Sequence, residues 1–259
     1  MRFPNILRHV HATNSTRPDP RDGVLCVPTS ENVRDLGGIP VPGGSTLTRR
    51  FVRSASLSEL SEEDVDYLVG YGITLDLDLR SPEEVMRSPD VLGRHRAIRY
   101  LNVPALDLNL HDPGLKAAQT GDEELSYFAR GYLRILANQD AVRRIFTFFA
   151  TARPTDCVIF HCAAGMDRTG IVSMLLLALA GADEDHVAAD YAYSFFPHEV
   201  ADAAIFGDTP PQDFDPLLVD VIRSVFRILL KRYGSCSAYL SACGLATTQI
   251  EAVRGHLTG

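Results

Sequence analysis

The stretch from Cys157 to Ala180 limits the fold more than any other part of the chain. Cys157-Val-Ile-Phe160 is a short apolar run entered from a turn at Pro154 and Asp156, and it reads as a buried strand. From about Thr169 to Ala180 the sequence is helical and apolar almost all round, with Gly181 as its stop, so this helix must run through a core. The residues between, Cys162 to Arg168, have to turn tightly, with backbone N–H groups facing inward at the positive end of the helix dipole. Such a turn is an anion cradle.

The flanking sequence alternates strand and helix signals. Ser61 with Asp64 opens a helix to about Gly70, with Gly72 as its stop. Ile73-Thr-Leu-Asp-Leu-Asp-Leu79 alternates strictly, which predicts a strand with Ile73, Leu75, Leu77 and Leu79 on one face and Asp76 and Asp78 on the other. Ser81 as N-cap, Pro82 at N1 and Glu84 at N3 then start a new helix. Residues 97–103 are a further strand, and helical periodicity follows over 123–138 and 141–152. Beyond the apolar helix everything is helical in pattern: 184–195, 216–232, 236–242 and a last helix after Thr247. The expected fold is therefore α/β, a central mostly parallel sheet flanked by helices with a helical C-terminal portion. Residues 1–30, rich in Pro, Asp, Arg and Thr, read as a loose arm, and 31–259 as a single domain. The long polar stretches 104–122 and 197–215 are candidate lids.

Bulk properties narrow the chemistry. A formal charge of −8 over 259 residues argues against coating nucleic acid or an anionic membrane, so any phosphate site must be local. The N-terminal residues lack the apolar core of a secretory signal, and the longest apolar stretch, Ile171 to Ala182, is too short for a membrane span. Five cysteines without a CxxC pair support neither a disulfide framework nor a zinc site, and reduced thiols fit a cytoplasmic protein. No metal or other cofactor is expected, and oligomeric state is not encoded in any readable motif.

Within the loop, Cys162 has the two features that activate a thiol, a helix N-terminus and a neighbouring cation. It is the candidate nucleophile, attacking phosphorus to form a phosphocysteine and so dividing one hard hydrolysis into two easier steps. Arg168 would hold two phosphate oxygens bidentately, which lysine could not imitate. Ala163, Ala164, Gly165, Met166 and Asp167 complete the phosphate-binding loop, Gly165 avoiding a Cβ that would crowd the anion or strain the backbone. Thr169 could donate its hydroxyl to the sulfur and make it a better leaving group. No Walker segment GxxxxGK[ST] exists, and the Arg-Thr-Gly ending is unusual for a sulfurtransferase loop.

His161-Cys-Ala-Ala-Gly-Met-Asp-Arg-Thr-Gly170 resembles the signature of the protein tyrosine phosphatase superfamily, and more narrowly the bacterial branch typified by a secreted mycobacterial tyrosine and lipid phosphatase. The resemblance extends to Asn32-Val-Arg-Asp35, Arg53-Ser54 with Leu57, Gly72-Ile73, Asp78-Leu-Arg-Ser81, Ala189-Asp-Tyr191 with Ser194, and Tyr233-Gly-Ser235 with Tyr239-Leu240. It implies a metal-independent phosphomonoesterase whose general acid, Asp167, sits inside the loop. Asp78 competes for that role from a strand end, but a buried ion pair with Arg80 or Arg34 is the preferred reading, which makes Asp78 and Arg80 supports of the loop. Asn32, Arg34, Asp35, Asp76 and His161 are read as supports of the loop. Where the family loop usually has lysine this chain has Met166, which lowers the local potential and argues against phosphoinositides. Phosphotyrosine is the leading substrate expectation. A small metabolite phosphate monoester is the alternative, and a silent phosphate-binding module the remaining one.

Overall fold

The computed structural model describes residues 23–105, 127–195 and 216–259. Its strands are β1 (Arg34–Asp35), β2 (Pro40–Val41), β3 (Gly44–Ser45), β4 (Phe51–Ser54), β5 (Ile73–Asp78), β6 (Arg99–Asn102) and β7 (Cys157–His161). Helices are α1 (Glu62–Tyr71), α2 (Pro82–Arg87), α3 (Tyr127–Ala137), α4 (Gln139–Phe149), α5 (Asp167–Ala180), α6 (Glu184–Tyr193), α7 (Pro216–Tyr233), α8 (Cys236–Ala242) and α9 (Thr247–Thr258). Strands β1-β4-β7-β5-β6 form one sheet in that order; β2 and β3 make a separate hairpin. Only the β1–β4 pairing in the main sheet is antiparallel. The expected mostly parallel α/β fold is what the chain adopts.

Both faces of this sheet are covered, as a parallel sheet requires. On one side Leu75, Leu77, Leu79, Val158 and Phe160 pack against residues of α3 to α9. On the other Val52, Ile73, Cys157 and Ile159 pack against Val65, Leu68 and Tyr71 of α1. Helix α5 lies within the larger cluster, with Ile171, Val172, Leu175, Leu176 and Leu177 all buried. An all-round apolar helix has no other stable place.

Local capping follows the sequence. Ser61 accepts from the Asp64 N–H, Gly72 ends α1 in the left-handed region at φ 116°, and Ser81 with Glu84 forms a complete capping box. Three expectations need correction. Ile73 does not share a face with Leu75, because β5 bulges: Ile73 pairs with Cys157 and Leu75 with Val158, leaving Thr74 extra. Residues 23–30 are no loose arm, since Val24 bridges to Arg34 and Leu25 and Val27 are buried. Strand β4 was not foreseen from its sequence. The stretches expected to be lids fall almost wholly outside the described residues, as do residues 1–22.

Candidate active site

Strands β4, β7 and β5 end level: Ser54 and Asp78 are both in register with His161. Cys162 follows at the carboxyl edge of the sheet, where open α/β sheets gather their ligands. It is 2% exposed and starts the turn into α5.

Three consecutive carbonyl oxygens of this turn are tied outward by separate donors. Ser56 N–H reaches Ala163 O at 3.0 Å, Asn32 Nδ2 reaches Ala164 O at 2.8 Å, and Arg53 Nη2 reaches Gly165 O at 2.7 Å. In a planar trans peptide the following N–H points the opposite way. The N–H groups of Ala164, Gly165 and Met166 are thereby turned to the inside of the loop. Met166 O accepts the first helical bond, from Gly170 N–H at 2.8 Å. Gly165 has φ +70°, and a Cβ there would lie 2.6 Å from Ser54 O and 2.7 Å from Ala55 N. The glycine is thus demanded by the close approach of β4 as well as by its backbone angle.

Arg168, in the first turn of α5, points its fork at Glu84 of α2. Nη1 lies 2.5 Å from Glu84 Oε2 and Nη2 2.9 Å from Oε1. Glu84 also accepts from Ser81 N–H, so the capping box of α2 aims a carboxylate at the arginine. The hydrogen bond from Arg168 overrides burial and holds the Glu84 carboxyl down to about 2. A guanidinium that grips a carboxylate bidentately has the geometry to grip a phosphoryl group in the same way.

Asp167 precedes it, and its Oδ1 accepts from Tyr132 of α3. Thr169 is fully buried, and its hydroxyl has no hydrogen-bond partner among the described residues, Cys162 included. The expected bond from Thr169 to sulfur is therefore absent from this arrangement.

Beneath the loop, on the α1 face, His161 is fully buried among carboxylates. Its Nδ1 is 3.3 Å from Cys162 O, and its Nε2 is 3.1 Å from Asp90, 3.4 Å from Asp76 and 4.0 Å from Asp78. Burial pulls the imidazole pKa down, but Asp76 and Asp90 outweigh it and raise it well above its ordinary value. Burial and the Asp90 charge push Asp76 up to about 7 against the opposing pull of His161. Asp76, Asp90 and His161 also place ligand atoms within 4.8 Å of one another, close enough to hold a cation. The imidazolium supplies a positive charge there itself.

The other expected residues separate into two groups. Asn32, in the left-handed region at φ 57°, touches the loop directly. Asp78 is fully buried and bonded to Arg80, with both carboxylate oxygens on the guanidinium and Tyr100 on Oδ2. Its ion pair with Arg80 leaves it no opening toward the loop. Arg34 reaches Asp190 and Ser194 on and after α6, and Asp35 accepts from Gly37 and Arg49 N–H and from Tyr71. Arg34 thus shares Asp190 and Ser194 with Arg53 and stands one residue behind the loop, whereas Asp35 braces the sheet. Sequence inspection missed Arg53, Glu84 and Tyr132 as site residues. The dipeptide Arg53-Ser54 and the capping-box Glu84 were visible; what each side chain reaches was not.

Residues 25–259 match the model of a family described as the tyrosine phosphatase family. A tyrosine-protein phosphatase of Nostoc commune is 30% identical over 221 residues, covering 80% of this chain and 74% of that protein. The triple specificity protein phosphatase PtpB of Mycobacterium tuberculosis is 27% identical over 255 residues, covering 81% of this chain and 91% of its own length.

Proposed function

Because the chain belongs to the tyrosine phosphatase family, and so is a phosphoric monoester hydrolase with a phosphorylated substrate, we propose that it hydrolyses phosphotyrosine through a phosphocysteine on Cys162. The observation that carries this reading is the row of outward-tied carbonyls at Ala163, Ala164 and Gly165, which leaves inward N–H groups above the thiol. Preorganised donors of this kind stabilise charge that develops on equatorial phosphoryl oxygens without reorganising during the reaction.

In the first step the Cys162 thiolate attacks phosphorus while the bond to the tyrosyl oxygen breaks. Asp167 gives that oxygen its proton, from Oδ2, since Oδ1 is occupied by Tyr132. Arg168 exchanges Glu84 for two phosphoryl oxygens. In the second step water attacks the phosphocysteine, Asp167 takes a water proton, and the sulfur leaves as thiolate. The buried, unpartnered Thr169 hydroxyl is available to stabilise it. Asn32 and Arg53 hold the loop, His161 and Asp78 with Arg80 support it from below, and no step requires a metal. Residues 31–259, with the packed segment from Gly23, act as one catalytic unit.

All five cysteines are free, and none of the helices formed by the described residues is long and apolar enough to cross a membrane. The free cysteines support work in a reducing cytoplasm. Acid quench during turnover of a phosphotyrosine peptide should leave a phosphoryl group on the peptide containing Cys162, and Cys162→Ser should abolish both adduct and turnover. Turnover that survives in Cys162→Ser sinks the mechanism. A kcat/KM panel of phosphotyrosine peptides, soluble metabolite phosphates and phosphoinositides tests the substrate, and the proposal requires the first to lead.

A further inference from the structure

Three helices meet behind the Asp167 carboxyl. Tyr132 of α3 donates its hydroxyl to Asp167 Oδ1, and the Tyr132 and Tyr191 hydroxyls lie 2.6 Å apart. A tyrosine has one O–H to give, and an ionised carboxylate can only accept. With Tyr132 committed to Asp167, the remaining direction is fixed: Tyr191 donates to Tyr132, which donates to Asp167. Both rings are buried, Tyr132 fully, and they pack edge to face at 6.0 Å. Tyr191 is itself located by α5, since a Cβ on Gly170 would come 3.1 Å from its ring. The glycine after Thr169 thus has a physical reason: it admits the outer tyrosine of the chain.

We propose that Tyr132, backed by Tyr191, is a positioning residue for proton transfer by Asp167. This inference rests on Asp167 being the general acid. Oδ1 is fixed by the tyrosine, so the carboxyl plane is set and Oδ2 is the oxygen that carries the proton. When Asp167 gives the proton up, the new negative charge falls at the acceptor end of an already aligned donor chain in a buried setting. Such chains polarise one another and stabilise the charge-separated state. Burial, together with the neighbouring Asp167 and Tyr191, pushes the pKa of the Tyr132 hydroxyl far above its usual range, so it keeps its proton and remains a donor throughout. Being fully buried, Tyr132 acts through Asp167 and does not touch the substrate.

Phenylalanine separates this role from packing, because it keeps the ring and removes only the hydroxyl. In Tyr132→Phe, kcat/KM for an alkyl phosphate, whose poor leaving group needs the proton, should fall ~10-fold. The kcat/KM for p-nitrophenyl phosphate, whose leaving group needs little help, should stay within about 2-fold, because kcat/KM ends at transfer to Cys162 and excludes the hydrolysis step that all substrates share. Tyr191→Phe should show the same pattern with a smaller loss, and it carries the test if Tyr132→Phe does not fold. Equal losses on both substrates, or no loss on the alkyl phosphate, overturn the proposal. Asp167→Asn assayed in parallel keeps the two claims apart. Unchanged alkyl turnover in that variant removes the acid role itself, whereas a selective loss there without one in Tyr132→Phe or Tyr191→Phe removes only the tyrosines. Adding Tyr132→Phe to Asp167→Asn should cost nothing further.

Discussion

Two arginines meet carboxylates around the same loop and do opposite jobs. Arg53 is fully buried and pairs with Asp190, whose side chain is 4% exposed, while its other nitrogen holds Gly165 O. Arg34 grips the second Asp190 oxygen, so both carboxylate oxygens are engaged. Arg168 and Glu84 are 16% and 31% exposed; the Arg168 fork is held by Glu84, whose carboxylate otherwise accepts, among the described residues, only from Ser81 N–H of its own capping box. A buried charge that loses its partner has nowhere to go, whereas a pair at the mouth of a cleft can exchange partners at little cost. Geometry alone would call both salt bridges. Burial and connectivity make the first a frame and the second an exchangeable grip.

The largest effect that separates them is reciprocal. Arg53→Ala should lose roughly 3–5 kcal/mol of stability in urea unfolding, because it empties the volume of a fully buried side chain and leaves Gly165 O and one Asp190 oxygen without their donor. Arg168→Lys should change stability by less than about 1 kcal/mol yet cut kcat/KM by ~10² or more, since lysine cannot form the fork. Similar stability losses in the two would erase the distinction.

Removing a smaller part of the frame tests whether the outward carbonyls matter to catalysis. Asn32→Gly tolerates the φ of 57° and deletes only the donor to Ala164 O. It should lower kcat/KM roughly 10-fold with the fold intact. An unchanged rate would mean that the loop holds its shape without that tie.

Glu84→Gln acts on the grip side alone. Glutamine can still complete the capping box, so α2 should persist, but it releases Arg168 from a competing anion. The inhibition constant of inorganic phosphate should fall about 3-fold. A rise would show that Glu84 orients the arginine instead of competing with the ligand.

A subtler contrast lies in pH. Glu84 and Asp190 are held below the usual carboxylate range, Glu84 chiefly by its Arg168 hydrogen bond and Asp190, against burial, by Arg53 and Arg34. Their stabilisation is present above about pH 4 and is lost in acid. Asp76 has the opposite sign. Raised to about 7, it keeps a proton in the folded state that the unfolded chain releases near pH 4, so its contribution is full below about pH 4 and lost as pH climbs through 7. The Tm of Asp76→Asn relative to the native protein should therefore increase between about pH 5 and pH 8. A constant difference would place the proton elsewhere in the Asp76, Asp90 and His161 group.

Much of this was legible in sequence where the signal is local. Ser61, Ser81 and Gly181 mark helix ends by chemistry within a turn, and the apolar run to Ala180 had only one place to go. Strand β4 was not legible because two of its four residues, Arg53 and Ser54, are polar yet fully buried, and the partners of Arg53 lie on α6 and the phosphate loop. The bulge at Thr74 reversed Ile73 for a reason that alternation cannot report, since register is set by the neighbouring strand. In the site, the loop announced its nucleophile and arginine through spacing. Its ties to Asn32 and Arg53, and the Glu84 grip, span 132, 112 and 84 residues of chain, and no pattern within a segment encodes them.

The central claim is that the loop is a fixed N–H cradle while Arg168 is the part that moves to the ligand. A crystal structure with orthovanadate tests it most directly. The oxyanion should sit above Cys162, bonded to the N–H groups of the loop and to Arg168, with Glu84 released and the Asn32 and Arg53 ties to Ala164 and Gly165 unchanged. Vanadate bound elsewhere with Arg168 still on Glu84, or loop carbonyls turned toward the ligand, would contradict it.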